Sequence, residues 1–497
     1  MNQMKAVAMI IEIKHEPDSA TAGIGYLSVV ELTEKYRAGE LTPAEVVETL
    51  LRRIEEIDSE GGVELNAVIE VSETVLGEVE ALNVPTDQAL WGVPIIIKDN
   101  IEVAGWPSGA GSCNFDLPAS DDADLIRELR EAGAFLLSNA NLTEWAAAAS
   151  QSLQEGESRR GGLTGNPWAL DRSAGSSSSG SAASVAAGFA PVAIGTETIG
   201  SLCQPASHCG VFAMKATRNA ISTKGLIPYS ATQDVPGVFA RELEDIRLVM
   251  STLLHKDLYY PDDVRIRFGR DKDLSDASQS DYQLQSAFQE LSEVLSDAGF
   301  AGTDIPRIDE PEYARIQRVL NAELVRDLDP YLAQRPGSAW KSLAASLYLE
   351  LVSLTCGAEP RQVFPDGFEE ALEQSPIDIE QERDEMERYF TGLLEKMLGS
   401  DEVIAAVAYG PAEKLDLSTG VKRRGYRYHS FLDGISSAVG WPALTIPFTE
   451  VNNMPVGLIL VARPHEEEKL LGAAKWLQVK NLAGRFERPN WTAPRRG

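Results

Sequence analysis

GGLTGNPWALDRSAGSSSSGSAASVAAGFAPVAIGTETIGSLCQP, residues 161–205, changes character halfway along. Its first half is glycine and serine: Ser173, Ser176, Ser177, Ser178, Ser179 and Ser181 lie among Gly161, Gly162, Gly165, Gly175 and Gly180. Read alone, that half is a flexible linker. The second half excludes a linker, because SAASVAAGFAPVAIG carries the small apolar residues and helix formers of a buried segment. The pattern predicts a Gly/Ser loop, a packed helix over about Ser181–Ala187, a strand over Pro191–Ile194, and a tight turn bearing Ser201 after Gly200. A serine on a glycine-preceded turn, with backbone N–H groups around it, is what acyl transfer requires.

Outward from this stretch, helical and buried-strand patterns alternate. Ser28–Glu31 and Thr42–Glu45 are capping boxes, the second with Pro43 at the first helical position and Val46, Val47, Leu50, Leu51 and Ile54 at helical spacing. Leu65–Val71 reads as a strand. Val93–Ile97 is apolar without alternation, so it is a strand buried on both faces, and it ends on Lys98. A lysine closing such a strand is delivered into the interior or a cleft; pairing with Asp99 is the purely structural alternative. Asp121–Ala132 reads as a helix and Ala134–Leu137 as a strand, and the alternation runs on to about Arg241. It predicts an α/β fold with a central mixed, mostly parallel β-sheet covered by helices on both faces. Residues 255–400 are richer in charge and poorer in glycine. Leu284, Phe288, Leu291 and Leu295 mark one helix there and Ile379–Leu398 another, so the segment reads as a helical insertion. Strands at Ala443–Phe448 and Val456–Val461 and a helix at Glu466–Leu477 close the pattern.

The 497 residues carry a net charge of −30 spread along the chain, which argues against nucleic acid and anionic membrane as partners. No stretch approaches the roughly 18 apolar residues of a membrane-spanning helix, and the N-terminus has no signal-peptide pattern, so a cytoplasmic protein is expected. Cys113, Cys203, Cys209 and Cys356 form no metal-binding spacing; a Cys203–Cys209 bridge is weighed against free thiols, and free thiols are expected.

Lys98, the serine cluster and Ser201 are the chemically competent residues. A Ser-His-Asp triad finds little support: there is no G-x-S-x-G elbow, His208 reads as a packing residue near Cys209, and His429 in YRYHS has nothing that marks it as a base. Desolvation makes a buried lysine lose its proton more easily, so Lys98 is the better candidate base.

Several separated stretches, in order, resemble the amidase signature family, the Ser–cis-Ser–Lys amidases. These are GVPIIIKDNIEVAGWPSGAGS (Gly92–Ser112), NLTEWA (Asn141–Ala146, similar to a helix start), Gly161–Gly188, GTETIGSLCQPASHCG (Gly195–Gly210), Met214–Arg241 and Gly440–Pro464. The resemblance implies a single amidase-signature domain over 26–480 that includes the 255–400 insertion, with an N-terminal extension 1–25 and a C-terminal tail 481–497. It implies Lys98 as base, Ser177 as the bridging cis-serine and Ser201 as nucleophile. The backbone N–H groups of Thr198, Ile199, Gly200 and Ser201 would form the oxyanion hole. No metal and no organic cofactor is implied.

The chain departs from that pattern where Ile199 stands for a glycine, Ala174 and Ala216 for prolines, and Ser176 and Ser179 for glycines. Leu202–Gln204 replaces an Ile-Arg pair that would meet polar or anionic substrate groups. With Trp106, Trp145 and Trp168 in or beside the motifs, these changes predict an apolar or aromatic acyl group. The expected function is hydrolysis of a linear carboxylic amide, or an ester, through a serine acyl-enzyme. The rivals are an acyltransferase or amide synthase of the same fold, a component of a glutamine amidotransferase, and a non-catalytic binding protein. The expected partner is a small-molecule amide, with a homodimer left open.

Overall fold

Ile95, Ile96 and Ile97 are all fully buried, yet they do not share a core. Ile95 and Ile97 join one apolar cluster and Ile96 another, because successive side chains on a strand leave opposite faces of the sheet. That is the physical reason for a strand without alternation. The computed structural model describes residues 21–484 and 486, except 59–62, 81–86, 114–117, 148–152, 272–281, 336–341, 343–376, 408 and 416–428. Most of the expected extension 1–25 and tail 481–497, together with His15 and Cys356, lies outside the described residues.

In chain order the elements are α1 (Val29–Ala38), α2 (Pro43–Asp58), β1 (Val68–Val71), α3 (Val75–Glu80), β2 (Pro94–Lys98), α4 (Asp124–Glu131) and β3 (Phe135–Ala140). They continue with α5 (Ser179–Ala187), β4 (Val192–Glu197), α6 (Cys203–Cys209), β5 (Phe212–Lys215), β6 (Val235–Ala240) and α7 (Leu243–Leu253). Next come β7 (Ile266–Arg270), α8 (Tyr282–Asp297), β8 (Gly302–Asp304), α9 (Glu310–Gln334) and α10 (Ile379–Leu398). The chain closes with β9 (Val403–Val407), α11 (Leu432–Ala438), β10 (Ala443–Val451), β11 (Met454–Ala462) and α12 (Glu467–Val479). Both expected capping boxes form: Ser28 Oγ accepts from Glu31 N at 3.1 Å, and Thr42 Oγ1 from Glu45 N at 3.3 Å.

One 11-stranded sheet runs β1-β3-β2-β4-β6-β5-β10-β11-β9-β7-β8. Residues of α4, α7, α8 and α12 fill one face; those of α2, α5 and α6, then of α9, α10 and α11, fill the other. The sheet is mixed, but the expected parallel majority is not found. Six strand pairs are antiparallel and four (β2–β3, β2–β4, β9–β7, β7–β8) are parallel. Part of the cause is short connections without a crossover helix. β10 and β11 are joined by Asn452-Asn453, both at positive φ, the two-residue hairpin signal that Asn tolerates.

The 255–400 segment is also not purely helical. β7 and β8 extend the sheet edge beyond β9, and α8, α9 and α10 pack over it. NLTEWA does not begin an α-helix: Glu144–Ala147 is a 3₁₀ turn, with Trp145 and Ala146 at positive φ. Among the described residues no helix is long and apolar enough to cross a membrane.

Candidate active site

β2 and β4 lie side by side in parallel and carry their C-terminal ends, Lys98 and Glu197, to the same edge of the sheet. The loop before α5 crosses that edge. Each of its four consecutive serines has its own partner. Ser176 Oγ lies 2.9 Å from Thr143 Oγ1, Ser177 Oγ lies 2.8 Å from Lys98 Nζ, Ser178 Oγ donates to Thr196 O at 3.0 Å, and Ser179 Oγ donates to Thr164 Oγ1 at 3.3 Å. The peptide bond between Ser176 and Ser177 is cis. Ser176 and Ser179, the two that replace glycines, are thus absorbed by neighbouring threonines, and only Ser177 meets the lysine. α5 holds this loop tightly against the sheet: a β-carbon on Gly180 would fall 2.4 Å from the carbonyls of Ala67 and Asn141.

Lys98 is fully buried, with Thr196 Oγ1 at 2.9 Å and Thr196 O at 3.3 Å as its other partners; Asn100 Nδ2 donates to the same Thr196 hydroxyl. Burial pulls its ammonium down to about 7, against the attraction of Asp234 and Glu197. A neutral amine at physiological pH can accept a proton from Ser177 while donating to Thr196. Pairing with Asp99, the structural alternative, does not occur: Asp99 Oδ1 takes Arg160 at 3.0 Å, and its Oδ2 takes the N–H groups of Gly111 and Gly109.

Ser201 sits on the turn between β4 and α6, and its carbonyl accepts from Ser178 N at 3.3 Å, which ties the turn to the serine loop. Among the described residues, no carbonyl or side chain takes up the backbone N–H groups of Thr198, Ile199, Gly200 and Ser201. The turn is braced on two sides. Glu197 Oε2 accepts from Leu202 N and Cys203 N at 2.8 and 3.1 Å, while its Oε1 meets Lys215 Nζ at 3.2 Å and Ser437 Oγ at 2.8 Å. On the other side Gly200, at φ +71°, lies against the hydrogen-bonded pair Tyr409 and Asp433. His429 Nε2 lies 2.8 Å from Asp433 Oδ1, and its ring stacks on Tyr409 at 4.4 Å. Burial opposes the Asp433 charge, but His429 and the Tyr409 hydroxyl outweigh it and hold the carboxyl below its usual range. The sequence offered no signal for this cluster beyond YRYHS.

The residues after Ser201 do not border open space. Leu202 and Cys203 are 1 and 2% exposed, and Cys203 lies within the core cluster beside Glu197, whose cation is Lys215. Of the tryptophans, Trp145 is buried, two residues beyond the Thr143 that bonds Ser176 and Ser177, Trp168 Nε1 donates to Cys209 O, and Trp106 lines a cavity near β1. The partly exposed hydrophobics packed against the core cluster that holds Cys203 and Tyr409 are Ile199, Tyr229, Ile308, Leu393 and Phe431; Ile199 lies on the Ser201 turn itself. His208 is buried, and burial pushes it down to about 3, so it is a neutral packing residue. Cys203 and Cys209 are both free.

A family model described as Amidase matches residues 45–471. The chain belongs to the Amidase family. Similar curated proteins include a glutamyl-tRNA(Gln) amidotransferase subunit of Carboxydothermus hydrogenoformans, 29% identical over 486 residues, spanning 90% of this chain and 96% of that one. The corresponding subunit of Fusobacterium nucleatum is 28% identical over 93% of this chain and 98% of its own length. Among solved structures, the peptide amidase of Stenotrophomonas maltophilia superposes with a TM-score of 0.82 at 27% identity, over 94% of this chain and 99% of that one. An amidase family protein of Bacillus anthracis shares the fold, at TM-score 0.83 and 23% identity over 98% of this chain and 97% of its own.

Proposed function

We propose that this protein hydrolyses a linear carboxylic amide through an acyl-enzyme on Ser201. The observation that carries the reading is the 2.8 Å contact of a fully buried Lys98 with Ser177, on a loop bonded to Ser201. Neutral Lys98 takes the Ser177 proton as Ser177 Oγ takes that of Ser201. Ser201 Oγ attacks the carbonyl carbon, and the N–H groups of Thr198, Ile199 and Gly200 receive the oxyanion. The proton returns through Ser177 to the leaving nitrogen, the C–N bond breaks, and an amine departs. Water then repeats the cycle and releases the acid. The apolar-acyl preference rests on Ile199, Tyr229 and Phe431 rather than on the residues that replace the arginine.

The second reading is acyl transfer to an amine or, as the names of the amidotransferase relatives suggest, work as one component of an assembly. The likeness to a peptide amidase at comparable identity supports the hydrolysis reading. The test is labelling with a fluorophosphonate, followed by peptide mapping. Adduct on Ser201, lost together with turnover in Ser201→Ala, supports the enzyme readings. No adduct and no turnover on an amide panel would leave a binding protein. Product partition with an added amine separates hydrolysis from transfer.

A further inference from the structure

Asp234 immediately precedes β6, whose first residue, Val235, pairs with Glu197 at the end of β4. One of its oxygens accepts from Thr198 Oγ1 at 2.5 Å; the other accepts from the backbone N–H groups of Tyr229 and Ser230 at 2.8 and 3.0 Å. The loop supplying those amides is gripped from its far side by the insertion helix α9. The Glu323 carboxylate accepts from the Ser230 hydroxyl and, at 2.7 Å, from Thr232 Oγ1, and Asp327 Oδ2 accepts from Ala231 N at 2.8 Å. A continuous hydrogen-bonded path thus leads from α9 through Asp234 to Thr198, three residues before Ser201.

The charges around this path differ in how they are matched. Glu197 is paired with Lys215, Asp99 with Arg160, and Asp433 with His429. Arg326, which shares a cavity of about 300 Å³ with Asp234 and Asp327, pairs with Asp327 and Glu323. Every hydrogen bond that Asp234 accepts among the described residues comes from a neutral donor. As a carboxylate it therefore has no partner cation at hydrogen-bond distance among them; burial raises the Asp234 carboxyl to about 6, and above that pH its charge attracts the Lys98 ammonium.

We propose that Asp234 is a positioning residue of the acyl-transfer site: it clamps Thr198 on the oxyanion side, and its charge opposes proton loss from Lys98. The proposal rests on the Ser201–Ser177–Lys98 reading. Its direction agrees with the attraction that Asp234 exerts on the Lys98 ammonium, which precedes that of Glu197. The clamp and the charge are separable. In Asp234→Asn the amide oxygen can keep the N–H groups of Tyr229 and Ser230 while its nitrogen donates to the Thr198 hydroxyl, so the clamp is held and the charge removed, whereas Thr198→Val keeps the charge and removes the clamp.

The experiment is the pH dependence of the fluorophosphonate labelling rate at Ser201, which needs no knowledge of the substrate. In Asp234→Asn the midpoint of the rise should move down by about one pH unit, a shift that a merely structural role would not produce. In Thr198→Val the plateau rate should fall about tenfold or more with the midpoint unmoved. An Asp234→Asn midpoint that stays or moves up overturns the electrostatic part. A Thr198→Val plateau equal to wild type overturns the clamp, and that variant carries the test if Asp234→Asn does not fold. Wild-type protein left unlabelled at Ser201 would instead remove the underlying reading.

Discussion

A single methyl group on Gly200 is expected to displace Ser201, the proposed nucleophile. The residue has φ +71°, and a β-carbon there would lie 2.5 Å from both Asp433 Oδ2 and Tyr409 Oη. Non-bonded heavy atoms in a packed interior settle at about 3.5 Å, so roughly 1 Å of room is missing on two sides. Asp433 has little freedom to retreat, being buried and bonded to Tyr409 and His429. The turn must move instead. Left-handed backbone costs an alanine about 1 kcal/mol, and overpacking adds about 1–3. For a chain of this length the unfolding entropy is on the order of 1 kcal/mol/K, so Tm should fall by about 2–4 °C. Activity should suffer far more, because a shift of about 1 Å in a reacting group costs about 10²-fold. The assay pairs thermal melting with the fluorophosphonate labelling rate at Ser201 in Gly200→Ala. Gly77→Ala is the control, since Gly77 lies in α3 with open space around it; there a helix-interior alanine should stabilise by about 0.5–1 kcal/mol and leave labelling unchanged. Labelling of Gly200→Ala within about threefold of wild type would refute the reasoning.

Other outcomes are expected from the same geometry. Ser201→Ala should lose several orders of magnitude in kcat with its melting curve unchanged, measured on any amide that the wild type turns over. Lys98→Ala should lower amide turnover by about 10²–10⁴, with activated esters less affected because their leaving groups need no proton. With Lys98 held near 7 by burial, the unprotonated base accumulates as pH rises through 7, so activity should climb between pH 6 and 8 and flatten above; a maximum below pH 6 would contradict the lysine base. Asp58→Ala should destabilise by about 2–4 kcal/mol in denaturant melts, because the carboxylate accepts from Ala67 N and Val68 N in the interior. Across a series of primary amides, aryl and apolar acyl groups should exceed small anionic ones in kcat/KM, since Ile199 and Phe431 give an anion neither a charge nor a hydrogen bond and Tyr229 has at most a neutral hydroxyl.

Much of this protein was legible in its sequence because burial leaves a local imprint. An unbroken apolar run such as Val93–Ile97 fits only a strand covered on both faces, and the helical spacing of Leu284, Phe288, Leu291 and Leu295 returned α8 with those four side chains buried. The capping boxes formed for the same reason, since a cap is an interaction within one turn. Lys98 and Ser201 stood out from their local settings, and motif resemblance picked Ser177 from the serine cluster and assigned the three roles. Strand direction was not legible: it depends on which strands pair, and local patterning is blind to partners. The residues themselves did not distinguish the four chemically identical serines; the physical reason that Ser177 meets the lysine is tertiary, because the path of the loop over β2 and β4 gives each hydroxyl its own partner. The tertiary structure alone buried Cys203 beside Glu197, set Tyr409 and Asp433 against Gly200, and brought Asp234 to Thr198 across 36 residues of chain. Those contacts join distant segments, and distance in sequence carries no trace of nearness in space.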